Sequence, residues 1–288
     1  MNIKNIYYAF IKCFIRFKTK VNVKQIVTMR SINWYGEWID KNEKYSMEEI
    51  SRECERFIYK PLISILVPVY NVKESYLREC LDSVCNQVYN NWELCIADDN
   101  SSEKYIKEIL EEYRNKDPRI KVAYREVNGN ISACSNTALS LADGDFVALL
   151  DNDDILSPVA LYEVVSKLND SSDIDVIYSD EDKLLDGKRV QPFFKKKWNI
   201  NLLSSVNFIC HFVVYRISLV RRVGGFRIGY EGAQDWDLAI RITNLTDKIA
   251  HIPKMLYHWR ISTTSTSGGE GNKPYIKEVQ DRMLKSHF

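Results

Sequence analysis

No glycine stands between Gly36 and Gly129 in this 288-residue chain. The first strand-like apolar stretch, Ile63–Val69, falls inside that gap. Folds that cradle phosphate on a turn after their first strand need glycine there, for the tight turn and the close approach of backbone to phosphate. A dinucleotide fingerprint and a P-loop are therefore excluded. C-x-x-C pairs are also missing, so the seven cysteines (Cys13, Cys54, Cys80, Cys85, Cys95, Cys134, Cys210) indicate neither a zinc ribbon nor a redox couple. Odd in number and mostly set in apolar runs, they read as buried free thiols of a reducing cytoplasm.

No acidic residue precedes Glu37, while seven basic ones (Lys4, Lys12, Arg16, Lys18, Lys20, Lys24, Arg30) do. The net charge of +1 hides this asymmetry, because the remainder carries 33 basic and 39 acidic groups. An acidic body does not suit nucleic acid, and none is expected as a partner; the basic end suits an anionic membrane surface. Ile3, Ile6, Tyr7, Phe10, Phe14 and Phe17 share one helical face, with Asn5, Lys12, Arg16 and Thr19 opposite. The uncharged run Asn5–Ile11 is far short of the ~20 residues that span a bilayer, and no signal-peptide cleavage site follows. Such a helix lies in a membrane interface or docks its aromatic face on protein, and the sequence leaves both open. Residues 1–60 are thus expected to be a helical extension, with Trp34, Tyr35, Trp38 and the charged stretch Met47–Phe57 as a connector. The expected location is cytoplasmic, peripheral on the inner face of the cell membrane.

What is present supports a full core: 45% apolar and 27% charged residues are ordinary globular values. From Pro61 strand and helix patterns alternate. Strands are predicted at Ile63–Val69, Trp92–Ala97, Ile120–Tyr124, Phe146–Leu150 and Asp175–Tyr178. Helices are predicted at Tyr76–Asn86, Lys104–Arg114, Ser132–Ala142 and Pro158–Asn169. Alternation of this kind predicts an α/β fold, a mostly parallel sheet flanked by helices. Beyond Asp180 the pattern is irregular, with strands predicted at Cys210–Tyr215 and Lys248–Ile252 and a helix at Trp236–Leu245. Residues 61–270 read as one catalytic domain and 271–288 as a helical tail.

The most informative stretch is Phe146–Asp154. Five apolar residues read as a strand buried on both faces, and Asp151, Asp153 and Asp154 crowd its end. A bare D-x-D is often a solvated acidic turn. At the carboxyl end of a buried strand, where open α/β sheets bind ligands, crowded carboxylates instead call for a hard cation, Mg²⁺ or Mn²⁺, shared with a substrate phosphate. With no glycine cradle, a phosphate ligand must be neutralised by that ion. Tyr70, Asp98 and Asp99 are then free for a base or ribose, although Asp98-Asp99 equally fits an Asx turn capping the next helix.

Val67-Pro68-Val69-Tyr70-Asn71, Asp98-Asp99-Asn100-Ser101-Ser102, Asn128–Asn136 and Leu149–Asp154 occur in the order seen in inverting family 2 glycosyltransferases of the GT-A fold, a Rossmann-like architecture. Tyr178–Lys183, Val223-Gly224-Gly225-Phe226, Gln234–Leu238 and Leu256–Arg260 resemble the branch that makes bacterial surface polysaccharides and O-antigen. The resemblance covers about Pro61 to Ser265. It implies a metal-dependent transferase moving a hexosyl or deoxyhexosyl group from a UDP- or dTDP-sugar to a saccharide or lipid-linked saccharide. Pro68, Tyr70, Asp98, Asp99, Asn128, Ser132, Asn136, Asp151 and Asn152 would bind the nucleotide sugar. Asp151 and Asp153 would hold the metal, with His258 as an extra contact or merely a packed histidine. Asp235 would be the general base, and Gln234, Trp236 and Asp180 would lie on the acceptor side. Two departures stand out: Gln234 replaces a common glutamate and Ser135 a common arginine. A sugar nucleotidyltransferase would want a glycine-rich loop after the first strand, which is absent. A binding subunit that had lost catalysis would have lost acidic residues that are still here.

Overall fold

The computed structural model describes residues 34–261 and 275–287. The aromatic face over residues 3–17, and the membrane contact drawn from it, lies outside the described residues. Residues 34–42 are helical (α1), and α2 is Met47–Arg56, capped by Ser46. Strand and helix then alternate through β1 (Ile63–Val69), α3 (Glu74–Cys85), β2 (Trp92–Asp98), α4 (Lys104–Lys116), β3 (Ile120–Tyr124), α5 (Asn130–Ser140) and β4 (Phe146–Leu149). Nearly every residue of β1 and β2 is buried, which is why they carry no polar alternation. In α3 the buried Leu77, Cys80, Leu81 and Val84 recur at the spacing of one helical face.

The remaining elements are β5 (Ile155–Leu156), α6 (Ala160–Asp170), β6 (Val176–Leu185), β7 (Lys188–Phe193), α7 (Ile200–Leu203), β8 (Val213–Arg216), α8 (Ile217–Arg222), α9 (Gln234–Thr243), β9 (Ile249–Arg260) and α10 (Tyr275–His287). One nine-stranded sheet runs β3-β2-β1-β4-β8-β6-β9-β5, with β7 paired to β6. β3-β2-β1-β4 is parallel, as the alternation predicts. Beyond it β8 enters antiparallel to both β4 and β6, while β6 and β9 are parallel to each other. Chain order reverses between β1 and β4, so a ligand crevice is expected outside their carboxyl ends.

Two strands run well past their predicted ends. β6 continues from Tyr178 through Asp180, Glu181 and Asp182, all three buried. Each carboxylate is paired from elsewhere in the chain. Asp180 accepts from Lys195 N at 2.9 Å and meets His251 Nε2 at 2.7 Å. Glu181 Oε2 is 3.0 Å from Lys195 Nζ and accepts from His211 N at 3.0 Å. β9 follows β6 as far as Arg260, with a register shift opposite Ser179 and Asp180 that absorbs Pro253 and Lys254. Asp186 and Gly187, with φ of 49° and 75°, close the unforeseen β6–β7 hairpin in the two-residue turn that suits twisted strands.

Asp182 ties the chain's beginning to this sheet. The hydroxyl of fully buried Tyr35 donates to its Oδ2 at 2.5 Å, Arg189 Nε donates to the same oxygen at 2.6 Å, and Arg189 also clasps Glu43. Tyr35→Phe keeps the ring and removes the donor. It is expected to lower unfolding free energy by about 1–3 kcal/mol with an unchanged urea m-value. An unaltered urea midpoint would mean that Arg189 and His258 satisfy Asp182 alone.

Candidate active site

A cavity of about 480 Å³ opens where the crevice was expected. Pro68 from β1, Asp151 beyond β4, Asn207, Cys210 and His211 before β8, Gln234–Trp236 of α9 and Trp259 of β9 all line it. The polypeptide thus brings two acidic groups, Asp151 and Asp235, to one space from elements more than 80 residues apart in sequence.

On the Asp151 side three carboxylates crowd together, with Arg260 and His211 as the opposing charges. Asp153 is pushed up to about 6, chiefly by burial and then by Asp151, with Arg260 and His211 opposing. Asp154, fully buried, is also raised, by burial and then by its two neighbours. Its oxygens are in use: Tyr257 Oη–H donates to one and Arg260 N–H to the other, each at 2.6 Å. That pair of bonds fastens the D-x-D turn to β9. Ligand atoms of Asp151, Asp154 and His211 lie within 4.8 Å of one another, and His211 Nε2 is 3.6 Å from Asp151 Oδ2. The His211 ring stacks on Tyr257 at 4.7 Å. Burial disfavours its imidazolium, but Cys210, Asp151 and Glu181 outweigh that and raise its proton affinity. Carboxylates beside one imidazole are a donor set that suits a hard divalent ion such as Mn²⁺ or Mg²⁺, and the repulsion within the set is what such an ion relieves.

Across the cavity Asp235 occupies the first turn of α9, after a loop with Gly229 and Gly232 at φ of 91° and 93°. Asn207 Nδ2 donates to its Oδ2 at 2.7 Å. A helix N-terminus stabilises a carboxylate anion, yet burial dominates here, Asp151 adds to it, and the Asp235 pKa is raised despite His211. Asp237 points away into an ion cluster with Arg227, Arg241 and His287 and is lowered.

Residues 64–224 match Glycosyl transferase family 2, more than half of the chain. The chain belongs to that family. An uncharacterised protein, y4gI, of Sinorhizobium fredii is 45% identical over 83% of this chain and 27% of its own length. The O-antigen biosynthesis protein RfbC of Myxococcus xanthus is 38% identical over 88% of this chain and 20% of its own length. The chain therefore spans under a third of either relative. Among solved structures S. aureus TarS 1–349, crystallised with UDP-GlcNAc, superposes with a TM-score of 0.64 at 24% identity, over 78% of this chain and 66% of that one. The fold is GT-A.

Within this family 2 domain the residues expected from sequence divide. Pro68, Asp151, Gln234, Asp235 and Trp236 line the cavity, and so does Ser135 in place of the absent arginine. Asn152 supports it from behind, donating to the carbonyl of Pro68 at 2.6 Å. Tyr70 is half exposed and outside the lining. Asp98 caps the backbone of Ser101 at 3.3 Å, the Asx-turn role left open by the sequence, and faces a second cavity. Asp99 is buried against Arg125 Nε at 2.7 Å, also accepts from Gly129 N, and receives the side chain of Asn128 on its carbonyl.

Four other residues named from the sequence lie outside the cavity lining. His258 is buried, its Nδ1 held 2.7 Å from Asp182, and the histidine beside Asp151 is His211. Asp180 is buried and paired with Lys195 and His251. Asn136 clamps both the N–H and the carbonyl of Phe226, at 2.8 Å each, holding the Gly224-Gly225 turn. A side chain at Gly225, with φ of 70°, would collide with Asn136 Oδ1. Ser132 is fully buried and outside the lining. His211 and Asn207 were missed, because nothing local marks them: both sit in an apolar stretch that reads as strand and loop.

Proposed function

We propose that this domain is a metal-dependent inverting glycosyltransferase that moves a sugar from a UDP- or dTDP-sugar to a hydroxyl of a saccharide or lipid-linked saccharide in cell-surface polysaccharide synthesis. The observation that carries this reading is one cavity with Asp151, the lining member of a crowded carboxylate turn, on one wall and Asp235, a separate half-buried carboxylate of raised pKa, on another. RfbC, by its name an O-antigen biosynthesis protein, and TarS, solved with UDP-GlcNAc, support the product class and the donor class.

Asp151 and Asp153, with His211 beside them, would hold the divalent ion, which supplies positive charge to the departing diphosphate. Asp154 keeps their turn in register with β9. Asp235 takes the proton as the acceptor oxygen bonds to the anomeric carbon and the bond from that carbon to the diphosphate oxygen breaks. The products are a glycoside and a nucleoside diphosphate. A single in-line displacement inverts the anomeric centre and requires no protein nucleophile.

A thermal-shift panel of nucleoside diphosphates and nucleotide sugars, each with and without Mn²⁺, tests the reading. One donor class at ~100 times its dissociation constant should stabilise the protein by ~2.7 kcal/mol, and only with the metal. A panel with no metal-dependent member would overturn it.

A further inference from the structure

Asp235 has two oxygens; among the described residues the side-chain contacts fall on Oδ2, and the backbone N–H groups of Trp236 and of Asp235 itself also favour the carboxylate. Asn207 Nδ2 lies 2.7 Å from Oδ2, and Cys210 Sγ approaches the same oxygen at 4.0 Å. Asn207 is fixed where it stands. Phe208 and Ile209, which follow it, are buried, and Lys195 Nζ holds the carbonyl of Ile209 at 2.7 Å. The preceding helix α7 is pinned to α9 by the indole N–H of Trp236, which donates to Leu203 O at 2.7 Å. Loop and base therefore move as one body.

The other end of the amide is telling. Asn207 Oδ1 is buried and has no hydrogen-bond partner among the described residues. An orphaned carbonyl oxygen costs free energy, and native folds rarely keep one without a use. Turning the amide over would set Oδ1 against the Asp235 carboxylate and orphan the NH₂ instead, so the carboxylate fixes its orientation. An apolar side chain of similar size would fill the space without the orphan, but it could not donate to Asp235.

We propose that Asn207 is the positioning residue of the base: its amide N–H holds Asp235 Oδ2 and so selects Oδ1 as the oxygen that takes the acceptor's proton. This rests on the reading of Asp235 as general base. A donor to the anion also counteracts the burial that raises the Asp235 pKa. The titratable groups facing Asp235 from neighbouring elements are Cys210, His211, Asp151 and Tyr215, and none of them donates to Oδ1.

The test uses the full chain, the best-binding UDP- or dTDP-sugar of the panel above as donor, and water as acceptor. Asn207→Ala should lower kcat about 10- to 100-fold, the range for losing a hydrogen bond to a charged group. Donor KM and calorimetric affinity for the nucleoside diphosphate should stay within about 2-fold, which also certifies the fold. The acidic limb of the kcat profile should move up by about one pH unit. Asn207→Ser, which keeps a donor, should restore part of both effects. Asn207→Asp keeps the shape without the donor and should match or exceed Asn207→Ala. A kcat within about 3-fold of wild type in Asn207→Ala, or a loss equal at every pH, would overturn the inference while Asp235→Asn remains inactive. Full turnover by Asp235→Asn would instead overturn the base assignment, and this inference with it.

Discussion

Asp235→Asn is expected to lower sugar transfer ~100-fold or more, the range for losing a general base, while donor affinity changes little. The amide keeps the shape of the carboxylate and cannot take the acceptor's proton. Two opposing influences meet at this position. The first turn of α9 favours the anion, which alone would make a weak base. Burial and the field of Asp151 work the other way and raise the pKa, bringing it toward the working range of a general base. Asp237, two residues on, is the internal control. Arg227 and Arg241 hold it in an ion cluster turned away from the cavity. Asp237→Asn should therefore reduce thermal stability, because it removes the buried carboxylate that pairs two partly buried guanidinium groups, and turnover per folded molecule should survive. Steady-state transfer rates normalised to folded protein separate the two variants. Equal losses in both would move the base to another residue.

What local pattern could reveal, it revealed. β1, β2 and β4 are largely apolar because both of their faces are packed against core, so their positions were legible from the sequence, and so was the carboxylate turn after β4. Asp235 was legible because glycine-rich irregularity followed by a helix marks a shaped loop. The rest depends on pairing across the chain. The strand through Asp180, Glu181 and Asp182 looks like a solvated turn until Lys195, Arg189, His251, His211, His258 and Tyr35 arrive to satisfy it. The choice between His211 and His258 was likewise beyond local reading. Both sit between apolar neighbours, and only the entry of β8 beside β4 puts one of them against Asp151. Tyr35, read as part of a connector, is a wholly buried strut of the sheet.

Asp153→Asn is expected to abolish Mn²⁺-dependent binding of nucleoside diphosphate and, in the same protein without metal, to raise stability at neutral pH. The second effect follows from the direction in which the fold moves this carboxyl. It is held at about 6 in the folded state against 3.8 for the free group. A raised carboxyl contributes stability that is full below the unfolded value and is lost as pH rises through the folded one. Metal-free wild type should therefore lose up to roughly 3 kcal/mol from this group between pH 4 and 7, about 1.4 kcal/mol for each tenfold difference in proton affinity between the folded and unfolded chain. The amide cannot ionise, so the variant lacks that slope and melts higher at pH 7.5, with no advantage at pH 4. Mn²⁺ should do for the wild type what the substitution does for the variant. It pairs with the ionised carboxylate, so its thermal shift should be large at pH 7.5 and shrink below pH 6 as the proton competes. Calorimetry of the nucleoside diphosphate with Mn²⁺ across pH 5 to 8, beside melting curves of both proteins without metal, reads both effects. If Asp153→Asn binds as tightly as wild type, Asp153 is not a ligand and the cation is held from Asp151 and His211; if the metal-free proteins show the same pH slope, the raised proton affinity of Asp153 is refuted.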